Sequence, residues 1–366
     1  MRIVVVGCGC FGAWTAYHLA RGGHQVAIVD AYGPGNSRAS SGGETRVIRM
    51  GYGRRDIYTR WSMRSLEMWK ALAAETATAL FRPTGVLWMA GAGDTLVAET
   101  MQTLERLHVR HERLSPGELE SRWPQVDFRS IEHGVHEPDS GVLMARRAVA
   151  IVADRAVRAG ARFVTARVDA IGFRGQFAAD AFVFACGPWL PKVFPDVLGH
   201  RIFPSRQEVL YFGTPPGDAR FAPPSLPAWI DFGEEMYGVP DVESRGVKAA
   251  LDRHGPPFDP DTGERIAAET VGVVREYVER RFPALRGAPI VASEVCQYEN
   301  TSNGDFLIDR HPAFDDVWLV GGGSGHGFKH GPALGEYVAR LVVEGGAPDE
   351  CFALATKQTV QTRTVF

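Results

Sequence analysis

The chain has 366 residues, 45% hydrophobic and 23% charged, with 40 basic residues against 43 acidic ones and a net charge of −3. That length fits about two domains with a sizeable core. Neither sign of charge gathers in a tail or block, which excludes the basic face that nucleic-acid or membrane-surface binding needs.

The cysteines Cys8, Cys10, Cys186, Cys296 and Cys351 are odd in number and irregularly spaced, with no metal-knuckle pair. No metal site and no disulfide are expected, and a reducing compartment fits best. Residues 3–20 carry no Asp, Glu, Lys or Arg, but Gly7, Gly9 and Gly12 interrupt the run, and it continues into a second apolar segment at 24–30. This is a folded βαβ unit rather than a signal peptide or anchor, so the cytoplasm is the default location.

The elements follow in order. Residues 2–6 predict a short buried strand, Gly7-Cys8-Gly9-Cys10-Phe11-Gly12 a turn, 13–21 a helix and 24–30 a strand closing at Asp30. In this G-x-G-x-x-G pattern the first glycine permits the tight turn, the second lets the backbone approach a pyrophosphate, and the third lets helix and strand pack closely. Asp30 is placed to accept hydrogen bonds from an adenosine ribose.

The Gly- and Ser-rich stretch 32–45 has linker composition, yet Arg46-Val47-Ile48-Arg49 alternates charge and apolar residues at its edge, which a linker does not need. Residues 56–74 and 95–107 predict helices, 85–90 a strand, 115–135 loops with short helical signals, 141–159 a helix and 162–164 a strand. Residues 181–189 predict a buried strand ending in a glycine turn. Strand-like alternation returns at 204–213 and 236–251, with a turn at 256–261 between the latter and a helix at 270–281. The buried strand from 317 runs into Gly321-Gly322-Gly323. The small-residue loop Ser324-Gly325-His326-Gly327-Phe328-Lys329-His330-Gly331-Pro332 follows, then a helix at 333–341. Its glycines allow a backbone to approach a flat ring, and the helix N-terminus aims a partial positive charge at whatever the loop touches.

Dinucleotide-binding pieces thus lie at the start, middle and end, with β-rich segments between them. The expected fold is α/β plus α+β. A discontinuous Rossmann-type domain would comprise 1–80, 135–204 and 286–366, and an inserted mixed-sheet substrate domain 81–134 and 205–285.

Four segments together resemble the D-amino-acid-oxidase-type flavoproteins, in particular the monomeric sarcosine oxidase and N-methyl amino acid oxidase branch. These are the N-terminal unit with Asp30; Gly43-Glu44-Thr45-Arg46-Val47-Ile48-Arg49, similar to the branch's G-[DE]-T-R-x-I-R; Tyr237 followed by Lys248; and the run from Cys296-Gln297-Tyr298 through Phe306-Leu307-Ile308-Asp309 and His311-Pro312 to the Ser324–Lys329 loop. The chain departs from the branch at Gly42-Gly43, where a His-Gly pair is usual, and at Asp252, where the branch has a histidine.

The resemblance implies FAD as cofactor, linked through a thioether from Cys296 with Arg46 assisting. It implies contacts from Gly7, Gly9, Phe11, Gly12, Asp30, Ser41, Thr45, Gly325, His326, Gly327, Phe328 and Lys329. Arg49 and Lys329 would clamp a substrate carboxylate, a planar fork opposed by a compact charge. Lys248 would activate dioxygen, and Tyr237 and Tyr298 would line the substrate pocket. The implied activity is oxidation of a secondary or N-methylated amino acid by a monomeric enzyme. Alternatives are a flavin dehydrogenase that passes electrons to a carrier, and a non-catalytic flavin-binding subunit. A nicotinamide dehydrogenase would leave the C-terminal loop unexplained.

Overall fold

The computed structural model describes residues 1–169 and 172–362. Among these, three sheets form. The first has the order Leu307–His311, Phe314–Gly321, Ala181–Phe184, Arg2–Val6, Gln25–Asp30, Arg162–Thr165. It is parallel throughout except for its first edge strand. Ile3, Val5, Ile28, Val183 and Trp318 face one core, under helices Cys10–Arg21, Asp56–Thr76, Ala145–Arg158 and Gly331–Glu344. Val4, Val6, Val29, Phe182 and Leu319 face another core with Phe173, Leu190 and Phe194. A sheet buried on both faces needs uninterrupted apolar strands, which is why 2–6 and 181–184 were legible as buried strands.

The second sheet has eight strands in the order Ile290–Thr301, Ile202–Phe212, Val247–Leu251, Met236–Val239, Ala228–Asp231, Val86–Ala90, His133–Glu137, Glu112–Leu114. One face packs Leu210, Phe212, Trp229 and Ala249 against helix Val271–Arg281. The opposite face presents Trp88, Tyr211, Tyr237 and Lys248. Strand Ile290–Thr301, drawn from the sequence into the cofactor part, pairs along its length with Ile202–Phe212 of this sheet. A small third sheet joins Thr45–Ile48 and Phe81–Arg82 to Gly141–Met144.

Three segments differ from expectation. The helix expected over 141–159 is a strand, Gly141–Met144, followed by helix Ala145–Arg158. The strand forms because its backbone completes the ladder of Thr45–Ile48, a partner nearly a hundred residues upstream that local periodicity cannot reveal. The alternating stretch 236–251 is two strands, folded back at a turn where Glu243 and Ser244 both have φ 58°. The first helix also starts at Cys10, inside the glycine turn, so its N-terminus opens directly beside Gly9.

Candidate active site

The C-terminal ends of Arg2–Val6, Ala181–Phe184 and Phe314–Gly321 open into a cavity of about 510 Å³. In parallel α/β sheets, ligands bind in this position. The walls run from Asp30, Tyr32 and Val168 at one end to Arg46, Cys296, Tyr298 and Gly325 at the other.

At the first end, Gly7 has φ 99°, and a β-carbon there would collide with the Ala185 carbonyl. One on Gly12 would collide with the carbonyl of Gly7, whereas one on Gly9 would meet only Ser41 Oγ, at 3.4 Å. Gly7 and Gly12 are therefore held by backbone packing, and Gly9 and Phe11 border open cavity. The Asp30 carboxylate accepts from the N–H groups of Cys8 (2.7 Å), Tyr32 (2.8 Å) and Gly33 (2.8 Å), which fix it at the cavity wall.

At the far end, Arg46 donates to the Ser40 carbonyl (2.6 Å), the Thr45 carbonyl (2.7 Å) and Cys296 Sγ (3.3 Å). A fixed positive charge thus sits on the sulfur a nucleophile would use. The Tyr298 ring lies against Gly325, where a β-carbon would be 2.8 Å away, and Gly327 packs on Phe11 and Gly323. Phe328 stacks on Trp69 with ring centroids 5.7 Å apart, and its carbonyl accepts from Cys10 Sγ. His326 turns its ring away from this wall, stacked on Phe306 and hydrogen-bonded through Nε2 to the Gly304 carbonyl (3.0 Å).

Strand Thr45–Ile48 spaces the next groups. Its Thr45 carbonyl accepts from Lys248 Nζ at 3.0 Å. Lys248 is 1% exposed and stands 5.6 Å from the Tyr237 ring centroid; burial, aided by the charge of Arg46, pushes its pKa down to about 7. Burial raises the Tyr237 and Tyr298 hydroxyls above their ordinary range, and Tyr298 Oη donates to Asp252 at 3.3 Å.

Just past the strand, the Arg49 guanidinium lies between the rings of Tyr52 (4.4 Å) and Trp88 (4.7 Å) and donates to the Gly51 carbonyl. Lys329 Nζ donates to Tyr52 Oη (2.8 Å) and the His326 carbonyl (2.9 Å). Arg49 and Lys329, far apart in sequence, therefore meet around one tyrosine. His330 Nε2 also pairs with Tyr52 Oη at 2.8 Å, and burial, aided by the charges of Lys329 and Arg49, holds this histidine well below its ordinary pKa.

Sequence reasoning missed Tyr52, Trp88 and Glu137. The Glu137 carboxylate, 1% exposed, accepts from Met50 N (2.7 Å), Gly51 N (3.0 Å), Trp88 Nε1 (2.8 Å) and Ser140 Oγ (2.5 Å). It pins the turn that carries Arg49. A lone acid in the segment His133-Gly134-Val135-His136-Glu137 gives no spacing signal for that role.

A glycine cradle at a parallel sheet edge, an acid at the end of the second strand and a cysteine–arginine pair at the far wall define a dinucleotide-dependent redox protein of the flavin type. The FAD dependent oxidoreductase (DAO) family model matches residues 2–341, and the chain belongs to that family. It is 29% identical to the monomeric sarcosine oxidase of Bacillus sp. (strain B-0618), over 99% of this chain and 98% of the relative. It is 26% identical to the N-methyl-L-tryptophan oxidase of Salmonella arizonae, over 93% and 94% of the two chains. The fold matches the crystal structure of L-proline dehydrogenase from P. horikoshii with a TM-score of 0.81 at 20% identity, covering 96% of this chain and 95% of that one.

The cavity fits FAD. The buried Ser40 Oγ, Gln297 Oε1 and Glu299 Oε2 of wall residues have no protein partner and are available to a polar ligand, and the Gly7–Gly9 turn leaves backbone open at the helix N-terminus.

Proposed function

We propose that the chain is an FAD-dependent oxidase of N-methylated or other secondary amino acids, with dioxygen as acceptor and hydrogen peroxide as product. The observation that carries this reading is the convergence of Arg49 and Lys329 on Tyr52, two cations suited to one carboxylate, just past the strand whose Thr45 carbonyl accepts from Lys248. FAD, when bound, supplies the acceptor for a hydride equivalent and the route of electrons to dioxygen. Gly7, Gly9, Phe11 and Asp30 would hold its adenosine diphosphate half; Ser41, Arg46, Cys296 and the Gly325–Phe328 loop would hold its ring. Arg49 and Lys329 bind the substrate carboxylate and so orient the amine. Tyr237 and Tyr298 wall the pocket against water. Lys248 offers positive charge where dioxygen is reduced. The resulting imine is hydrolysed by water.

A thioether through Cys296 is part of the proposal, supported by the Arg46–Cys296 contact. So are a monomeric state, from the name of the Bacillus relative, and a reducing compartment, from five unpaired cysteines. Among the described residues no helix is long and apolar enough to cross a membrane.

The test is a peroxide assay over N-methyl and cyclic amino acids. Peroxide from such a substrate supports the oxidase. Dye reduction without oxygen uptake selects the dehydrogenase, and neither signal selects the non-catalytic subunit. Acid precipitation decides the linkage: yellow colour should stay in the wild-type pellet and leave with Cys296→Ala.

A further inference from the structure

Glu299 is a buried carboxylate on the cavity wall. It lies three residues beyond Cys296 on strand Ile290–Thr301 and is 8% exposed. Its side chain reaches the glycine turns that end two strands of the parallel sheet. A β-carbon on Gly321 would lie 3.2 Å from its Oε2, one on Gly323 3.2 Å from its Oε1, and one on Gly187 3.6 Å from its Oε2. Bare glycines thus surround the carboxylate and leave it open to the cavity that it lines. Oε2 has no hydrogen-bond partner. A buried acceptor left unpaired is costly, and native proteins rarely tolerate one that nothing ever satisfies.

The position narrows the partner. On the reading above, the pyrophosphate belongs to the Gly7–Gly9 turn and the helix N-terminus beside it, and the flavin ring to Cys296 and Arg46. Glu299 faces the cavity between those two ends. The part of FAD that bridges them is the ribityl chain, a run of hydroxyls. A carboxylate accepts hydrogen bonds and donates none when ionised, so hydroxyls are its natural complement, while a phosphate offers only like charge. We propose that Glu299 is a cofactor-binding residue that accepts hydrogen bonds from the ribityl hydroxyls of FAD. Burial, opposed by the Gly323 and Gly322 N–H groups, pushes its pKa up to about 7 in the unliganded protein, and hydroxyl donors to the carboxylate would favour its ionised form.

This inference rests on FAD as the cofactor, and its test separates the two. In full-length protein carrying Cys296→Ser, so that FAD exchanges freely, binding of FAD and of ADP is measured by tryptophan fluorescence, with and without Glu299→Ala or Glu299→Gln. ADP has the pyrophosphate but no ribityl chain. The expected result is FAD affinity weakened about tenfold or more by Glu299→Ala, with ADP affinity unchanged, in line with loss of a hydrogen bond to a charged group. Glu299→Gln, which keeps one acceptor oxygen, should fall between. Equal losses for FAD and ADP would mean a general fold defect and overturn the proposal. Tighter binding of both by Glu299→Gln would place the carboxylate against the pyrophosphate and overturn it as well, as would unchanged FAD affinity. If the Cys296→Ser protein with Glu299 intact binds ADP but not FAD, the cofactor reading itself fails and the proposal with it.

Discussion

Arg49 shows how much of a charged side chain's environment escapes the sequence. Its place as the last residue of the G-E-T-R-V-I-R motif marks it as a candidate clamp, but the two aromatic faces that hold it come from Tyr52 and from Trp88 on a different sheet. A lysine there would keep the charge and lose the planar fork and the stacking. Arg49→Lys should therefore raise the KM for a carboxylate substrate by about tenfold to a hundredfold, the equivalent of about 1.5–3 kcal/mol, with a smaller change in kcat. Steady-state peroxide kinetics checks this, and an unchanged KM would remove Arg49 from the clamp. Lys248 makes a prediction of a different kind. Its folded pKa of about 7 lies below the ordinary lysine value, so the cost of burying its charge is fully present below about pH 7 and shrinks as pH rises toward about 10.4. Lys248→Met should raise the melting temperature of the cofactor-free protein most near pH 6 and least near pH 10. A gain independent of pH would show that the buried charge is not what Lys248 costs the fold.

At the scale of elements, the site is built by one short strand and the turn behind it. Thr45–Ile48 puts Arg46 against Cys296, gives its first carbonyl to Lys248 and releases Arg49 at its end. The motif residues on it were legible because they are contiguous. The strand's partner, Gly141–Met144, was misread because an apolar run leading into an alanine-rich helix carries the helical pattern, and only the distant ladder decides otherwise. Glu137 was illegible for the same reason: its ligands Met50, Gly51 and Trp88 lie many tens of residues away. Glu137→Ala would leave two backbone N–H groups and an indole N–H unpaired in the core, a loss of about 3 kcal/mol or more. Urea unfolding should show that loss, and KM should rise as the Arg49 turn loosens. A stable variant with unchanged KM would show that the turn holds its shape without the carboxylate.

For the whole molecule, ligand and fold are linked. The cavity lies between the sheet that supplies Gly7 and Asp30 and the sheet that supplies Cys296 and Tyr298, so a ligand filling it bonds both. FAD at about a hundredfold above its dissociation constant should stabilise exchangeable Cys296→Ser protein by about 2.7 kcal/mol, read as a melting temperature that climbs with FAD concentration. A flat response would mean that FAD binds the unfolded chain equally well or does not bind. The order of the parallel sheet has a consequence for synthesis. Arg2–Val6, made first, is a central strand, yet Ala181–Phe184 must be made before its second edge is covered, and Phe314–Gly321 before that neighbour is covered in turn. A nascent chain therefore leaves the ribosome carrying uncovered apolar strand edges until nearly all of it has been translated, and pairings this remote close slowly. The Gly325–Phe328 loop proposed to hold the flavin ring is among the same late segments, so a polypeptide stalled before residue 314 lacks one wall of the cofactor cavity.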